Sequence, residues 1–238
     1  MNKHSFCILF LLLLSVISFP KAMGQQNDFQ CWPFLQLNLE VLKGLKVQVR
    51  EEVRFRENSS LISRQINEIG LSYRINKYIK TALIYRIEAD WKNPDEYGWR
   101  NGVYADVSLG YETGRFSIGY RLRMQSAKVD LNDKQDQWFN GLRNRHKVTV
   151  EYDIKGIPLV PFVEGEIFAN LAGSNGSSLS AYRAWAGINY TLNKRHEIGL
   201  KYGIDQELNV PDPLRAYIIA LGYTLNLQLP SSVKRKYR

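Results

Sequence analysis

The tripeptide Leu71-Ser72-Tyr73 starts the series that decides the fold, because the same apolar-x-Tyr pattern recurs four more times. The other copies are Leu109-Gly110-Tyr111, Val150-Glu151-Tyr152, Ile188-Asn189-Tyr190 and Leu221-Gly222-Tyr223. Successive tyrosines lie 38, 41, 38 and 33 residues apart, and each closes a run of alternating apolar and polar residues. A repeat of that size, holding two strands with one short and one long connection, predicts an up-and-down β-barrel.

Alternating runs fill most of the chain, and most have about the length that a tilted strand needs to cross a bilayer. Period-two patterning sustained over this length predicts strands rather than helices. The eleven runs are 35–41, 45–56, 64–75, 79–91, 101–111, 116–126, 142–154, 160–170, 181–191, 197–206 and 215–227.

The connections between the runs alternate in length, and this alternation sets the predicted topology. Short turns are expected at Lys43-Gly44, Asn76-Lys77, Thr113-Gly114, Lys155-Gly156 and Asn193-Lys194, with longer polar loops near 57–63, 92–100, 127–141, 171–180 and 207–214. Bacterial barrels usually have an even number of strands, so we expect a weak ascending strand at 26–33 to add a twelfth. The prediction is an all-β, antiparallel up-and-down transmembrane β-barrel of 10–12 strands, with twelve as the best count.

The N-terminus has the features of a secretory signal. A basic start at Lys3 and His4 precedes an apolar run from Phe6 to Ile17 and the small residues Ala22 and Gly24. This pattern predicts a signal peptide over 1–24, followed by an outer-membrane barrel over 25–229 and a basic C-terminal tail over 230–238. Removing the signal would leave one cysteine, so we expect no disulfide framework, no cysteine metal site and no cofactor.

The aromatic residues fall into two groups along the predicted strands. The recurring tyrosines sit beside the short turns, and three tryptophans sit beside the long loops, as in the aromatic girdles of membrane barrels. The predicted girdle residues are Tyr73, Tyr111, Tyr152, Tyr190, Tyr223, Trp91, Trp99 and Trp138. We therefore expect outer-membrane lipids as partners, in a Gram-negative bacterium, with both termini in the periplasm.

Alternation alone does not say which face of each strand points inward. A soluble barrel of the lipocalin type would put apolar residues inside, and this alternative stays open. The polar faces carry glycine and nearly balanced arginine and glutamate, which favours an ion-paired lumen in which small residues make room for long charged side chains. The predicted lumen charge network is Glu52, Arg54, Arg86, Arg121, Arg123, Arg143, Arg145, Glu164, Glu166 and Arg183.

Two resemblances support this interpretation. Residues 222–227, Gly-Tyr-Thr-Leu-Asn-Leu, resemble the C-terminal signal of barrels inserted by the outer-membrane assembly machinery, which implies that machinery as a partner. The mature chain resembles an uncharacterised Bacteroidetes family of outer-membrane β-barrels, the domain of unknown function numbered 2490. The features that carry it are Trp32, Glu51-Glu52-x-Arg54, Tyr85-Arg86, Arg121-x-Arg123-x-Gln125, Arg143-x-Arg145 and Glu164-x-Glu166. The resemblance implies a fold and a location, not a chemistry.

The chemistry-bearing residues are sparse. The mature chain has two histidines, His146 and His196, and neither has a serine at the spacing that outer-membrane lipases use. We predict no enzyme and no nucleic-acid partner. The leading function is a narrow passive pore for small polar or anionic solutes. The alternatives are a non-conducting structural or interaction barrel and, third, a lipid-modifying enzyme; the oligomeric state stays open.

Overall fold

The computed structural model describes residues 26–93, 96–126, 129–130, 142–171 and 178–229. The predicted signal peptide, the basic tail and Trp138 lie outside this part of the chain. The strands are β1 (Gln26–Cys31), β2 (Phe34–Leu42), β3 (Leu45–Arg56), β4 (Leu61–Arg74), β5 (Ile79–Asn93), β6 (Glu96–Thr113), β7 (Phe116–Gln125), β8 (Val129–Asp130), β9 (Arg143–Tyr152), β10 (Leu159–Asn170), β11 (Ser178–Thr191), β12 (His196–Glu207) and β13 (Leu214–Gln228). Across the described residues, no helix is long and apolar enough to cross a membrane.

The strands form one closed barrel. From β2 to β13 each strand pairs antiparallel with its neighbour in the chain, except that β8 lies to the side and pairs with β6. The ring closes because β13 pairs with both β2 and β1 in parallel. Twelve strands therefore lie on the path of the sheet, with β1 and β2 end to end against β13 in a ring of eleven positions. This confirms the predicted all-β barrel and its range of strand numbers.

The first two strands are one strand interrupted at Trp32-Pro33. The Trp32 amide donates to the carbonyl of Ile219 at 2.9 Å, which continues the ladder onto β13, and the Pro33 carbonyl accepts from the Val53 amide at 3.0 Å. Proline has no N–H to donate, so the ladder breaks there without reversing direction. The expected ascending strand at 26–33 exists, but it runs in the same direction as β2. The closing contact is consequently parallel rather than antiparallel.

The barrel has two different ends. At the turn end lie the five short connections 43–44, 75–78, 114–115, 153–158 and 192–195. Gly44 and Gly156 take φ values of 83° and 78° there, which L side chains rarely adopt. The loop end carries the other connections, although strand residues occupy much of the loops expected at 57–63 and 92–100. Residue 26 lies at the loop end and residue 229 at the turn end, so the expectation that both termini share one side is wrong for the described chain.

Polar side chains point into the barrel and apolar side chains point outward. On β4 the inward Glu68 is shielded, while the outward Ile69 and Leu71 are 54% and 53% exposed. The same inversion recurs around the ring, where large aliphatic side chains are exposed and carboxylates such as Glu52 and Glu166 are buried. This arrangement excludes the lipocalin-like alternative, in which the interior would be apolar.

Candidate functional site: an ion-paired lumen

The inward face of β3 shows how the sequence builds the lumen. Residues two apart on a strand share a face, so Arg50, Glu52 and Arg54 project together. The Glu52 carboxylate accepts from Arg50 Nη2 at 2.6 Å and from Arg54 Nε at 2.7 Å. One buried carboxylate thus lies between two guanidinium groups.

A second shared carboxylate connects strands that are not neighbours. Glu166 on β10 accepts from Arg145 on the adjacent β9 at 2.8 Å and from Arg121 on β7 at 2.7 Å. Because β9 lies between β7 and β10, this glutamate ties three strands together from the inside. With a further bond from Arg145 Nε at 3.1 Å, it accepts three hydrogen bonds of the strong, charge-assisted kind.

Two further carboxylates are also shared. Glu164 accepts from Lys147 and lies 3.7 Å from Lys201. Asp90 lies 3.4 Å from Arg64 and 2.9 Å from Arg100. Each shared carboxylate neutralises only one of the two cations beside it.

Other lumen charges form close pairs between neighbouring strands, although Arg86 also lies 3.9 Å from Glu88. Arg123 donates from Nε and Nη2 to the two oxygens of Asp106 at 2.7 and 2.8 Å. Arg86 donates to Glu68, and Arg183 pairs with Asp205. The acidic partners Glu68, Asp106 and Asp205 were absent from the predicted network, although alternation places them on the same polar faces.

The structure brings nine of the ten predicted network residues into ion pairs. They are Glu52, Arg54, Arg86, Arg121, Arg123, Arg145, Glu164, Glu166 and Arg183. The tenth, Arg143, is exposed near the loop end of β9 and forms no ion pair with a described residue. It lines a cavity there instead.

Aromatic rings share the lumen with these charges, and the sequence analysis missed them. The rings of Trp32 and Trp185 meet edge to face at 5.9 Å, and the Arg54 guanidinium lies 3.7 Å above Trp32. Tyr104 is fully buried between Arg86 and Arg123, whose guanidinium carbons lie 4.7 and 5.0 Å from its ring centre. Such cation–π contacts stabilise desolvated arginines. The available signal was the position of these aromatics on the polar side of their strands.

Two glycines on the polar faces make room for aromatic rings. We had expected these glycines to make room for the side chains of arginine and glutamate. A Cβ atom on Gly222 would lie 1.9 Å from Phe34 Cζ, and one on Gly203 would lie 2.4 Å from Trp185 Cε3. A side chain at either position would overlap an inward ring. Gly203 and Gly222 therefore help to fix where the Trp185 and Phe34 rings lie in the lumen.

Three cavities adjoin one another in the lumen. The central cavity has a volume of about 300 Å³ and shares Phe34, Glu164 and Lys201 with a cavity of about 160 Å³ nearer the turn end. Toward the loop end an outer cavity of about 130 Å³ includes Arg143 in its lining. Four residues line both the central and the outer cavity: Arg54, Arg86, Arg145 and Arg183. These four arginines mark the boundary between them.

The lumen carries a surplus of positive charge among the described residues. Eleven cations take part in its ion pairs: Arg50, Arg54, Arg64, Arg86, Arg100, Arg121, Arg123, Arg145, Lys147, Arg183 and Lys201. Eight carboxylates face them: Glu52, Glu68, Glu88, Asp90, Asp106, Glu164, Glu166 and Asp205. The balance expected from the sequence fails here because other polar-face acids, such as Glu40, Glu151 and Glu197, lie toward the turn end.

The predicted girdle residues that the structure describes lie on the outer surface. Tyr73, Tyr111, Tyr152 and Tyr190 are exposed near the turn end, and Tyr223 is partly covered beside His196. At the loop end of β5 and β6, Trp91 and Trp99 flank Tyr97 with ring centres 6.1 and 6.2 Å apart. The tyrosines thus follow the turn end around the barrel, whereas the two described girdle tryptophans, Trp91 and Trp99, gather at one hairpin.

The two histidines of the described chain bond to tyrosine hydroxyls. His146 Nδ1 lies 2.6 Å from Tyr120 Oη, and His196 bonds to Tyr223. In the same part of the chain, no group of three or more His, Cys, Asp or Glu side chains is placed to hold a metal ion. Neither histidine forms a hydrogen bond to a serine or a cysteine of the described chain.

Comparison with known proteins gives a family and no named relative. No curated protein matches the sequence. The family model described as "Protein of unknown function (DUF2490)" matches residues 29–212, from within β1 to the connection before β13. This match covers most of the chain and nearly the whole barrel, and the chain therefore belongs to the DUF2490 family.

Proposed function

We propose that the protein is an integral β-barrel of a Gram-negative outer membrane and forms a narrow passive pore for small polar solutes, with a preference for anions. The observation that carries the membrane placement is the inverted burial of the strands. Exposed aliphatic residues recur on the outward faces of strands all around the ring, whereas soluble monomers expose only limited apolar patches, and lipid is the solvent that suits such a surface.

The girdle residues support this placement. Exposed tyrosines near the turn end and the tryptophans near the loop end bracket the aliphatic band, as interfacial aromatics do. In outer-membrane barrels the short turns face the periplasm, which would put the turn end there and the outer cavity at the cell surface. Insertion by the barrel assembly machinery follows from the same proposal.

The cavities of the lumen and the charge of their lining support the proposed preference for anions. We place the conduction path along the adjoining cavities, and shared carboxylates leave their lining with more cations than anions. A ring of charged side chains selects ions by its local field. The four boundary arginines would therefore admit small anions more readily than cations.

A closed structural or interaction barrel is the second candidate, and the packing of the lumen favours it. Trp32, Trp185 and Tyr104 are buried, and ion pairs cross the space between strands. Narrow barrels can be filled by their own side chains. A lipid-modifying enzyme is third, because each described histidine bonds to a tyrosine rather than to a nucleophile.

Membrane integration is tested by extraction. Carbonate or urea washing should leave the protein in the membrane fraction, and the folded barrel should show heat-modifiable mobility on gels. Depleting the assembly machinery should abolish that mobility. Release as a soluble protein would refute the membrane placement and the pore together.

Conduction is tested on the purified, folded protein in a planar bilayer. Steady single-channel steps are expected. Silence over a range of voltages, with heat-modifiable mobility intact, would refute the pore and favour the structural barrel. Hydrolysis of lipid by the same sample would favour the enzyme.

A further inference from the structure

A polar patch interrupts the apolar outer surface on β3 and β4. It consists of Glu51, Gln65 and Asn67, all of which point away from the lumen. Glu51 and Asn67 are exposed and lie opposite each other in the register. The Gln65 side-chain amide donates to Glu51 Oε1 at 3.0 Å, whereas Asn67 makes no side-chain hydrogen bond to a described residue.

Apolar side chains surround the patch. Val49 and Ile69 form the next outward pair toward the turn end, and Ile62 is exposed toward the loop end. On the neighbouring strands, Leu35 lies opposite Glu51 and Ile87 lies opposite Asn67. Leu35 is 59% exposed. The patch is thus an island within the aliphatic surface rather than part of a rim.

Its depth follows from the strand geometry. Asn67 is six residues from the girdle residue Tyr73. At about 3.3 Å per residue and a tilt of about 40°, six residues advance roughly 15 Å across a band about 25 Å tall. In the proposed orientation, an exposed carboxylate and a free amide therefore lie well inside the hydrocarbon region. Polar groups in that position are unfavourable unless another molecule satisfies them.

Two other outward-pointing polar pairs are hydrogen-bonded, although Asn101 Oδ1 is buried and accepts no hydrogen bond from a described residue. Arg215 Nε donates to Gln206 Oε1 at 2.6 Å near the loop end, and the Asn101 amide donates to the Tyr85 hydroxyl at 3.3 Å. Glu51 still has lone pairs to offer, and Asn67 has both amide hydrogens. The remaining acceptor capacity of the Glu51 carboxylate is complementary to the amide donors of Asn67.

We propose that this patch is the contact of a homodimer within the membrane. In a two-fold arrangement the same patch serves on both copies, so Glu51 of each copy accepts from Asn67 of the other. The surrounding Leu35, Val49 and Ile69 supply the apolar packing. Hydrogen bonds between polar side chains stabilise association inside lipid. The inference rests on the proposed membrane placement and does not depend on conduction.

The test counts subunits in lipid. The parent protein carries Cys31→Ser and Lys194→Cys, so that a single dye is attached at the turn end, away from the patch. Photobleaching steps are then counted in vesicles at low protein density. Two steps are expected for this parent. Glu51→Leu with Asn67→Leu should give one step and raise the dimer dissociation constant about tenfold or more, because two symmetric sets of hydrogen bonds are lost.

Controls separate this result from misfolding. Val148→Ala with Val163→Ala changes two exposed aliphatic residues on β9 and β10 and should leave two steps. Heat-modifiable mobility should be the same in all variants, and the single change Glu51→Leu serves if the double variant fails to assemble. One step for the parent, or two steps for the leucine variants, would overturn the dimer. A parent that is not retained in membranes would instead refute the membrane placement.

Discussion

Replacing Arg123 with leucine tests whether the ion pairs that line the lumen are shielded from water. Arg123 and Asp106 have side chains that are 8% and 7% exposed, and two hydrogen bonds of 2.7 and 2.8 Å join them. The leucine would leave the Asp106 carboxylate charged and without its partner. It would also remove one of the two cations that sandwich the Tyr104 ring.

The expected loss of stability follows from this burial. Breaking a buried ion pair by removing one partner destabilises a protein by about 3–5 kcal/mol, because the remaining charge is uncompensated. Removing both partners leaves no unpaired charge, so Arg123→Leu with Asp106→Leu should lie much closer to the wild type, within about 1–2 kcal/mol. The exposed Arg74 on β4 provides the matched control, and Arg74→Leu should change stability by less than about 0.5 kcal/mol.

The assay is reversible denaturant unfolding of the barrel in lipid vesicles, followed by tryptophan fluorescence, for all four proteins. The order expected is wild type, Arg74→Leu, the double variant and then Arg123→Leu as the least stable. A loss below about 1 kcal/mol for Arg123→Leu would refute the reasoning, because it would mean that water solvates Asp106 in the lumen.

Three further predictions concern the lumen. Gly222→Ala should lower stability by about 1–3 kcal/mol through overlap with Phe34, and Phe34→Leu should restore much of the loss; no rescue would show that the ring is not the obstacle. Trp32→Ala should lower stability by about 3–5 kcal/mol and raise single-channel conductance by enlarging the central cavity, whereas unchanged conductance would place the narrowest point elsewhere. Arg143→Gln should lower anion selectivity with little change in stability, while Lys43→Gln at the turn end should leave selectivity unaltered; equal effects would point to net charge rather than to the outer cavity.

The strands were predictable because their signal is local. The run expected at 45–56 is the strand Leu45–Arg56, and the run at 215–227 differs from Leu214–Gln228 by one residue at each end. Alternation indicates which face of each strand is polar, and most strands of this ring keep a polar face toward the interior. For the same reason, alternation fixed the polar faces that hold Arg121, Arg123 and Glu166.

Pairing between distant strands was not predictable in the same way. Nothing in the alternation of residues 26–31 says whether they turn back or continue, and the parallel contact with β13 depends on residues nearly 190 positions away. The partners of each charge also come from other strands, as Asp106 does for Arg123. The aromatic filling of the lumen was missed because tyrosine and tryptophan were assigned to the membrane interface, yet Tyr104 and Trp185 stand on polar faces.

The most direct measurement of the central claim is the reversal potential of the reconstituted barrel under a gradient of potassium chloride. A membrane-spanning lumen with surplus arginine predicts steady channels whose reversal potential has the sign for chloride, and Arg143→Gln should move it toward zero. A reversal potential with the sign for potassium would contradict the account of the lumen, and a folded barrel without channels would contradict the pore.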